Sequence, residues 1–304
     1  MNIVAIIPAR MGSSRFPGKP LVPLHGVPLA GHVYFRTRLN RRLSAVHIAT
    51  CDDEIRRYAL EIGAECVMTS PAHTRASDRT AEAAEIIERQ SGRTIDVVVM
   101  VQGDEPMIVP AMLDEALQPM VDDRTVQVVN LMAPVDADAA ADPNEVKVAI
   151  DRRGNALYFS RHPLPWQHGT PGHASFKQVC VIPFRRPFLT AFAALEPTPL
   201  EQAESIDMLR ALEHGYAVRM VRTAHATCSV DTPADLARVS RLMSGDPLIA
   251  AYGGRPWQEP TAGELSYPPL TPGRASIATA GRSMPPAATW SSPARPNGSR
   301  KTSC

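Results

Sequence analysis

Three cations set among small residues dominate the first twenty positions. In Pro8-Ala9-Arg10-Met11-Gly12-Ser13-Ser14-Arg15-Phe16-Pro17-Gly18-Lys19-Pro20-Leu21, the charges of Arg10, Arg15 and Lys19 alternate with Gly, Ser and Pro directly after an apolar run. Small residues let backbone N–H groups approach a phosphate closely, while the cations and the hydroxyls of Ser13 and Ser14 supply further donors. The spacing is neither that of a Walker A loop nor that of a GxGxxG fingerprint. A solvated basic loop explains two of the charges but leaves the third, and the interleaving, without a reason. Polyphosphate binding explains all of them.

Acidic residues supply the complementary half of such a site. Val101-Gln102-Gly103-Asp104-Glu105-Pro106 ends a second apolar run with two carboxylates. A carboxylate at a strand end facing a triphosphate loop suits Mg²⁺ held jointly by protein and phosphate oxygens. Far downstream, Ser229-Val230-Asp231-Thr232-Pro233 presents another. Alone, Asp231 reads as a turn or N-cap residue; only pairing with Asp104 makes it a second metal ligand. The nine histidines form no HExxH or paired metal spacing. The five cysteines (Cys51, Cys66, Cys180, Cys228, Cys304) are scattered without a CxxC pair, which favours reduced thiols in the cytoplasm over zinc or disulfides.

The elements that must hold these residues follow from periodicity. Residues 3–8, 45–50 and 97–101 are short, nearly continuous apolar runs of the kind found in parallel strands covered on both faces. Between them, residues 53–62 and 79–90 have helical spacing. The alternation predicts an α/β fold: a doubly wound, mostly parallel nucleotide-binding sheet, whose ligands lie beyond the carboxyl ends of its strands. Residues 126–135 and 146–158 read as longer strands interrupted by Pro and Gly, hence a smaller mixed or antiparallel insertion. A helix over 200–214 is opened by Thr198-Pro199-Leu200-Glu201, and another runs from Thr232-Pro233 to about 243. Beyond 244, Pro, Gly, Ser, Ala and Arg dominate without periodicity, so residues 1–244 are expected to form the catalytic domain and 245–304 a disordered tail.

Composition narrows the function classes. With 32 Lys+Arg against 31 Asp+Glu, the net charge of +1 gives no bulk field to draw in nucleic acid. No run approaches the ~20 apolar residues of a membrane span, and the N-terminus lacks the basic start of a signal peptide.

Taken in order, IIPARMGSSRFPGKPL, VQGDEP, EVKVAIDRRGNALYFSRHPLPW, TPLEQAESIDMLR and SVDTPADLARV resemble the 3-deoxy-manno-octulosonate (Kdo) cytidylyltransferases, over residues 2–243. The opening loop alone resembles sugar nucleotidyltransferases in general, including CMP-sialic acid synthetases; the second and third motifs single out the Kdo branch. The resemblance implies a nucleotide-diphospho-sugar transferase-like fold, a homodimer, CTP and an acidic sugar as substrates, and a place in cell-surface lipopolysaccharide synthesis. It implies catalytic roles for Arg10, Lys19 and Asp104, and Mg²⁺ on Asp104 and Asp231. Nucleotide contacts would come from Pro8, Ala9, Arg10, Ser13, Ser14, Arg15, Lys19, Thr50, Arg75, Ser77, Arg79 and Gln102. Sugar contacts would come from Gln102, Arg161, Gln178, Glu204 and Asp207.

Three departures stand out against that family. Arg75-Ala76 replaces a small Ser-Gly pair, Gln178 stands where a histidine is usual, and Asp207-Met208 replaces Glu-Gln. The last two fall in the expected sugar pocket, so a related ulosonic acid, such as a sialic-like or 8-amino sugar, is the alternative substrate. A nucleotide-binding protein without catalysis is the alternative from another class, opposed by the intact Lys19, Asp104 and Asp231.

Overall fold

A computed structural model describes residues 1–12, 15–166 and 174–252. Its main sheet has the strand order Val181–Arg185, Val97–Val101, Ile3–Pro8, Ala45–Thr50, Glu65–Met68, parallel throughout except for the first, which runs antiparallel at the edge. The central strands are buried along their whole length, as their continuously apolar, Val- and Ile-rich content requires. Helices Leu29–Arg38, Asp53–Glu61, Ala76–Ser91 and Pro110–Asp122 cover the two faces and give two apolar clusters. The doubly wound α/β expectation holds.

The insertion is a mixed sheet in the order Arg219–Arg222, Val129–Val135, Ser175–Val179, Lys147–Ile150, Ala156–Ser160. Its first pair is parallel and the rest are antiparallel. The single strand expected over 146–158 is a hairpin instead. The Asp151 carboxylate accepts from Arg153 N and Asn155 N, and Gly154 turns the chain at φ 80°. One residue, Cys180, joins Ser175–Val179 in this sheet to Val181–Arg185 in the main sheet. The Cys180 carbonyl accepts from Gln102 N at 3.1 Å, so the sheet junction fixes the start of the Gln102–Glu105 turn.

Two further expectations need correction. The helix over 200–214 breaks into Pro199–Glu204 and Asp207–Glu213, because Ser205 adopts left-handed backbone angles (φ 55°, ψ 50°). The proposed tail boundary at 244 cuts through packed structure. Helix Pro247–Tyr252 follows it, and Tyr252 is 3% exposed, stacked on Phe35 with its hydroxyl against His32 and Arg36. Residues 253–304 lie outside the described residues. Thr232 and Asp235 reciprocally cap helix Pro233–Leu242, as read from the sequence.

Candidate active site

The phosphate-loop sequence closes on itself where the first strand ends. Gly18 N donates to Met11 O at 3.1 Å, and Gly18 takes φ 73°, a conformation that side chains disfavour. The turn starts a short 3₁₀ helix, Lys19–Leu21, and aims the Lys19 side chain inward. On the neighbouring strand end, Gly103 lets the Gln102–Glu105 turn press against the loop: a Cβ there would sit 3.2 Å from the Pro8 carbonyl oxygen.

Lys19 Nζ donates to Asp104 Oδ2 at 2.9 Å and to Asp231 Oδ1 at 3.1 Å. Burial of the ammonium lowers its pKa, but the two carboxylates outweigh that effect and hold it above the ordinary lysine value. Lys19 is therefore a fixed cation. Asp104 and Asp231 converge on one point while their side chains stay 22% and 16% exposed to the cleft. Lys19 takes one oxygen of each carboxylate, and the exposed remainder at the cleft fits a divalent ion whose other ligands would be phosphate oxygens and water. Among the described residues no three His, Cys, Asp or Glu side chains cluster as a metal cage, so the substrate must complete such a site.

The cleft has two lobes. One, about 260 Å³, is lined by Pro8, Ala9, Arg10, Arg15, Lys19, Arg75, Arg79, Gln102, Asp104 and Asp231 from the expected set, joined by His73 and Thr74. The other, about 150 Å³, is lined by Arg161, Gln178 and Asp207 and shares Arg15, Gln102, Asp104 and Asp231 with the first. Arg15 reaches across both, donating to Asn144 Oδ1 and to Asp231 Oδ1.

Arg161 is anchored through its guanidinium. Nε donates to Glu204 O at 2.8 Å, one terminal nitrogen to Pro143 O at 2.9 Å and the other to Ser205 O at 3.5 Å. Carbonyl acceptors orient the guanidinium without cancelling its charge, which leaves it suited to a carboxylate.

Three expected contacts are placed otherwise. Thr50 is fully buried, and its hydroxyl accepts from Asp52 N behind the strand end rather than facing the nucleotide lobe. Ser77, also fully buried, donates to Asp207 Oδ2 at 2.7 Å. Glu204 does not line the sugar-side lobe; its carboxylate accepts from Ser160 Oγ and Arg161 N and so acts on Arg161. Gln178 lines that lobe, but its amide donates to Asn130 Oδ1. Ser13 and Ser14 lie outside the described residues.

The sequence reading missed Asn144, Glu145, Glu105, Cys180 and Ser205, all on the wall of the second lobe. Glu105 carried a signal in its place beside Asp104, but not one that assigned it a task. It is 4% exposed, accepts weakly from Cys180 N at 3.4 Å, and leaves Oε2 without a partner. Burial pushes its pKa up to about 7, with Lys177 opposing the shift. Burial likewise raises the Asp207 carboxyl, against the hydrogen bond from Ser77 and the charge of Arg75.

Comparison with known proteins adds a second line of argument. The family model described as Cytidylyltransferase matches residues 4–221. A 3-deoxy-manno-octulosonate cytidylyltransferase from Geobacter metallireducens is 42% identical over 256 residues, 80% of this chain and 98% of its own length. One of the same name from Geobacter sulfurreducens is 43% identical over 251 residues, 79% of this chain and 98% of its own. The solved structure of a CMP:2-keto-3-deoxy-manno-octonic acid synthetase complexed with CTP is similar at TM-score 0.73 and 36% identity, covering 81% of this chain and 99% of that one. A cytidylyltransferase from Leptospira borgpetersenii, 16% identical with TM-score 0.55 over 81% of this chain and 87% of that one, shares the fold alone.

Proposed function

The chain belongs to the cytidylyltransferase family, and from that premise we propose that it transfers CMP from CTP to the anomeric hydroxyl of Kdo, releasing pyrophosphate for use of the activated sugar in cell-surface polysaccharide synthesis. The observation that carries the reading is the shared wall of the two lobes. The lobe beside Lys19 suits a triphosphate and the lobe beside Arg161 suits a carboxylate, and they meet at Gln102, Asp104 and Asp231.

In this reading the anomeric oxygen attacks the α-phosphorus, the bond from that phosphorus to the β-phosphate oxygen breaks, and the hydroxyl proton leaves to solvent. Transfers of this kind ask the protein chiefly for alignment and charge neutralisation. Arg10, Arg15 and Lys19 bind the triphosphate, and Lys19 also steadies charge that develops on the departing phosphates. Arg161 holds the sugar carboxylate, and Gln102, at the junction, orients the reacting ends. Asp104 and Asp231 would hold Mg²⁺, which when bound lowers the pKa of the attacking hydroxyl and neutralises phosphate charge.

A homodimer and a cytoplasmic location complete the proposal. Ala156–Ser160 is a sheet-edge strand with Leu157 62% exposed, and Trp166 just beyond it is 85% exposed, a pattern that suits cover by a second copy. Among the described residues no helix is long and apolar enough to cross a membrane. The free thiols Cys51, Cys66, Cys180 and Cys228 suit a reducing compartment.

The test is pyrophosphate release from CTP and Mg²⁺ with Kdo, an 8-amino analogue or a sialic acid as acceptor. We expect release with Kdo, loss of it on adding EDTA, and a fall of at least ~10²-fold in kcat for Lys19→Ala, comparable to deleting one preorganised transition-state donor. Release with another acidic sugar alone would move the substrate and leave the chemistry. CTP binding without turnover on any sugar would refute the enzymatic reading.

A further inference from the structure

The break at Ser205 places one residue between the cations of the two lobes. Arg75, on the nucleotide-side lobe, donates from one terminal nitrogen to Ser205 Oγ at 2.9 Å. Arg161, on the sugar-side lobe, donates to the Ser205 carbonyl at 3.5 Å. Ser205 does this from left-handed backbone angles, φ 55° and ψ 50°, which a side chain adopts at a cost and retains where surrounding contacts hold it.

The residues on both sides of the break reinforce the span. Before it, Glu204 accepts from Arg161 N through its carboxylate and from Arg161 Nε through its carbonyl. After it, Asp207 accepts from Ser77 Oγ at 2.7 Å and lies 3.6 Å from Arg75. Ser77 belongs to the first turn of Ala76–Ser91, the helix that begins at the nucleotide lobe. Residues 204–207 are therefore tied to the sugar-side arginine at one end and to the nucleotide-side wall at the other.

We propose that Ser205 couples the two substrate lobes: the hydrogen-bonded chain Arg75–Ser205–Arg161 makes nucleotide and acidic sugar bind with positive cooperativity. A nucleotide that fixes Arg75 also fixes the Ser205 hydroxyl, hence the backbone carbonyl that aims Arg161. A sugar carboxylate that fixes Arg161 restrains Ser205, and through it Arg75, in the same way. Each ligand meets part of the ordering cost of the other site, which is positive coupling without a large movement. Linkage then requires that the sugar tighten the nucleotide by the same factor as the nucleotide tightens the sugar. The inference rests on the proposed function, because it takes one lobe as the nucleotide side and the other as the acidic-sugar side.

The decisive variant is Ser205→Gly. Glycine accepts φ 55° freely, so the fold and the carbonyl that Arg161 contacts are kept while the hydroxyl that Arg75 contacts is lost. Calorimetric titration of the full chain with α,β-methylene-CTP and Mg²⁺, with and without saturating Kdo, measures the coupling directly; the reverse titration checks reciprocity. The unaltered chain should show at least fivefold tightening in both directions, within the usual range for coupled sites. Ser205→Gly should bring both factors to about one without lowering Tm. Arg75→Gln should also lose the coupling. Coupling that persists in Ser205→Gly, or is absent from an unaltered chain that binds both ligands, overturns the bridge. Failure of the unaltered chain to bind either ligand overturns the lobe assignment beneath it.

Discussion

Replacing Lys147 with Met tests whether the sugar-side lobe is held from beneath by a buried charge. Lys147 is fully buried, and its Nζ donates to the carbonyls of Asp142 at 2.7 Å, Glu145 at 2.6 Å and Arg161 at 2.5 Å. The three donors of one ammonium thus tie the turn that carries Pro143, Asn144 and Glu145 to the backbone of Arg161. Met keeps the volume and removes all three bonds. Hydrogen bonds from a charged donor contribute about 1.5–3 kcal/mol each, roughly 5–9 kcal/mol together. Relief from burying an ammonium returns several kcal/mol of that. A net loss of about 3 kcal/mol remains, which for a domain of this size lowers Tm by roughly 6–12 °C. The functional consequence should be selective. Arg161 and the Asn144 contact of Arg15 both depend on the tied turn, whereas Lys19 and Arg79 do not. Differential scanning fluorimetry and two-substrate kinetics should therefore show the Tm loss together with a sugar KM about tenfold higher and a CTP KM within about twofold of normal. Arg at this position should restore little, because a planar fork cannot follow three converging carbonyls. A Tm change below about 2 °C with an unchanged sugar KM would refute the reasoning.

The remaining expectations concern the buried polar groups. Glu105 has a folded pKa of about 7 against an ordinary value of 4.5. A carboxyl raised in this way stabilises the fold fully below about pH 4.5 and loses that contribution as pH rises through about 7. The gap corresponds to about 3 kcal/mol at most, so in urea unfolding Glu105→Gln should gain on the unaltered chain by up to that amount between pH 5 and 8. A difference that stays constant across the range would mean that Glu105 does not titrate there. Tyr252→Phe removes a hydroxyl that lies 2.8 Å from both His32 Nδ1 and Arg36 Nε. It should cost about 1–3 kcal/mol in the same unfolding assay, and no loss would show that the two hydrogen bonds of this hydroxyl add nothing to stability.

The parts of the molecule legible in the sequence are those whose physics is local. The runs at residues 3–8, 45–50 and 97–101 are strands because their apolar content is nearly continuous, with His47 the one polar residue inside them and Thr50 at an end, and the Thr232–Asp235 cap is set by residues three apart. The break at Ser205 is not local. Residues 200–214 have helical composition throughout, and the left-handed turn is sustained by Arg75 and Arg161, which lie 130 and 44 positions away. Lys147 reads as a polar residue of a strand until its three carbonyl partners are brought together from two loops. Tyr252 sits where composition has already turned toward Pro, Gly and Ala, and its contacts with His32, Phe35 and Arg36, more than 200 positions away, draw its helix into the fold. The residues expected at the nucleotide and misplaced, Thr50 and Ser77, have the right type at the right strand or helix end. Their hydroxyls are engaged by Asp52 N and by Asp207, partners that no spacing rule supplies.

The division of the cleft into two lobes limits where the chemistry can occur. Among the described residues, Arg15, Gln102, Asp104 and Asp231 alone line both lobes. A group transferred between ligands must touch both at once, so the reacting phosphorus and the attacking oxygen meet along this wall. Lys19 stands behind it with its ammonium between the two carboxylates, 11% exposed, and lines the nucleotide-side lobe but not the sugar-side one. Its task is therefore on the phosphate side. The carboxylates face the reacting centre and the lysine does not, which is the arrangement expected if Asp104 and Asp231 exchange part of their contact with Lys19 for a divalent ion when the triphosphate arrives. Arg15 comes from the loop after the first strand rather than from a strand end, and its side chain is 46% exposed. Gln102 and Asp104 follow directly from the buried strand Val97–Val101, whereas Arg15 and Asp231 come from loops, so the sheet fixes one side of the wall and the loops bring charge to it.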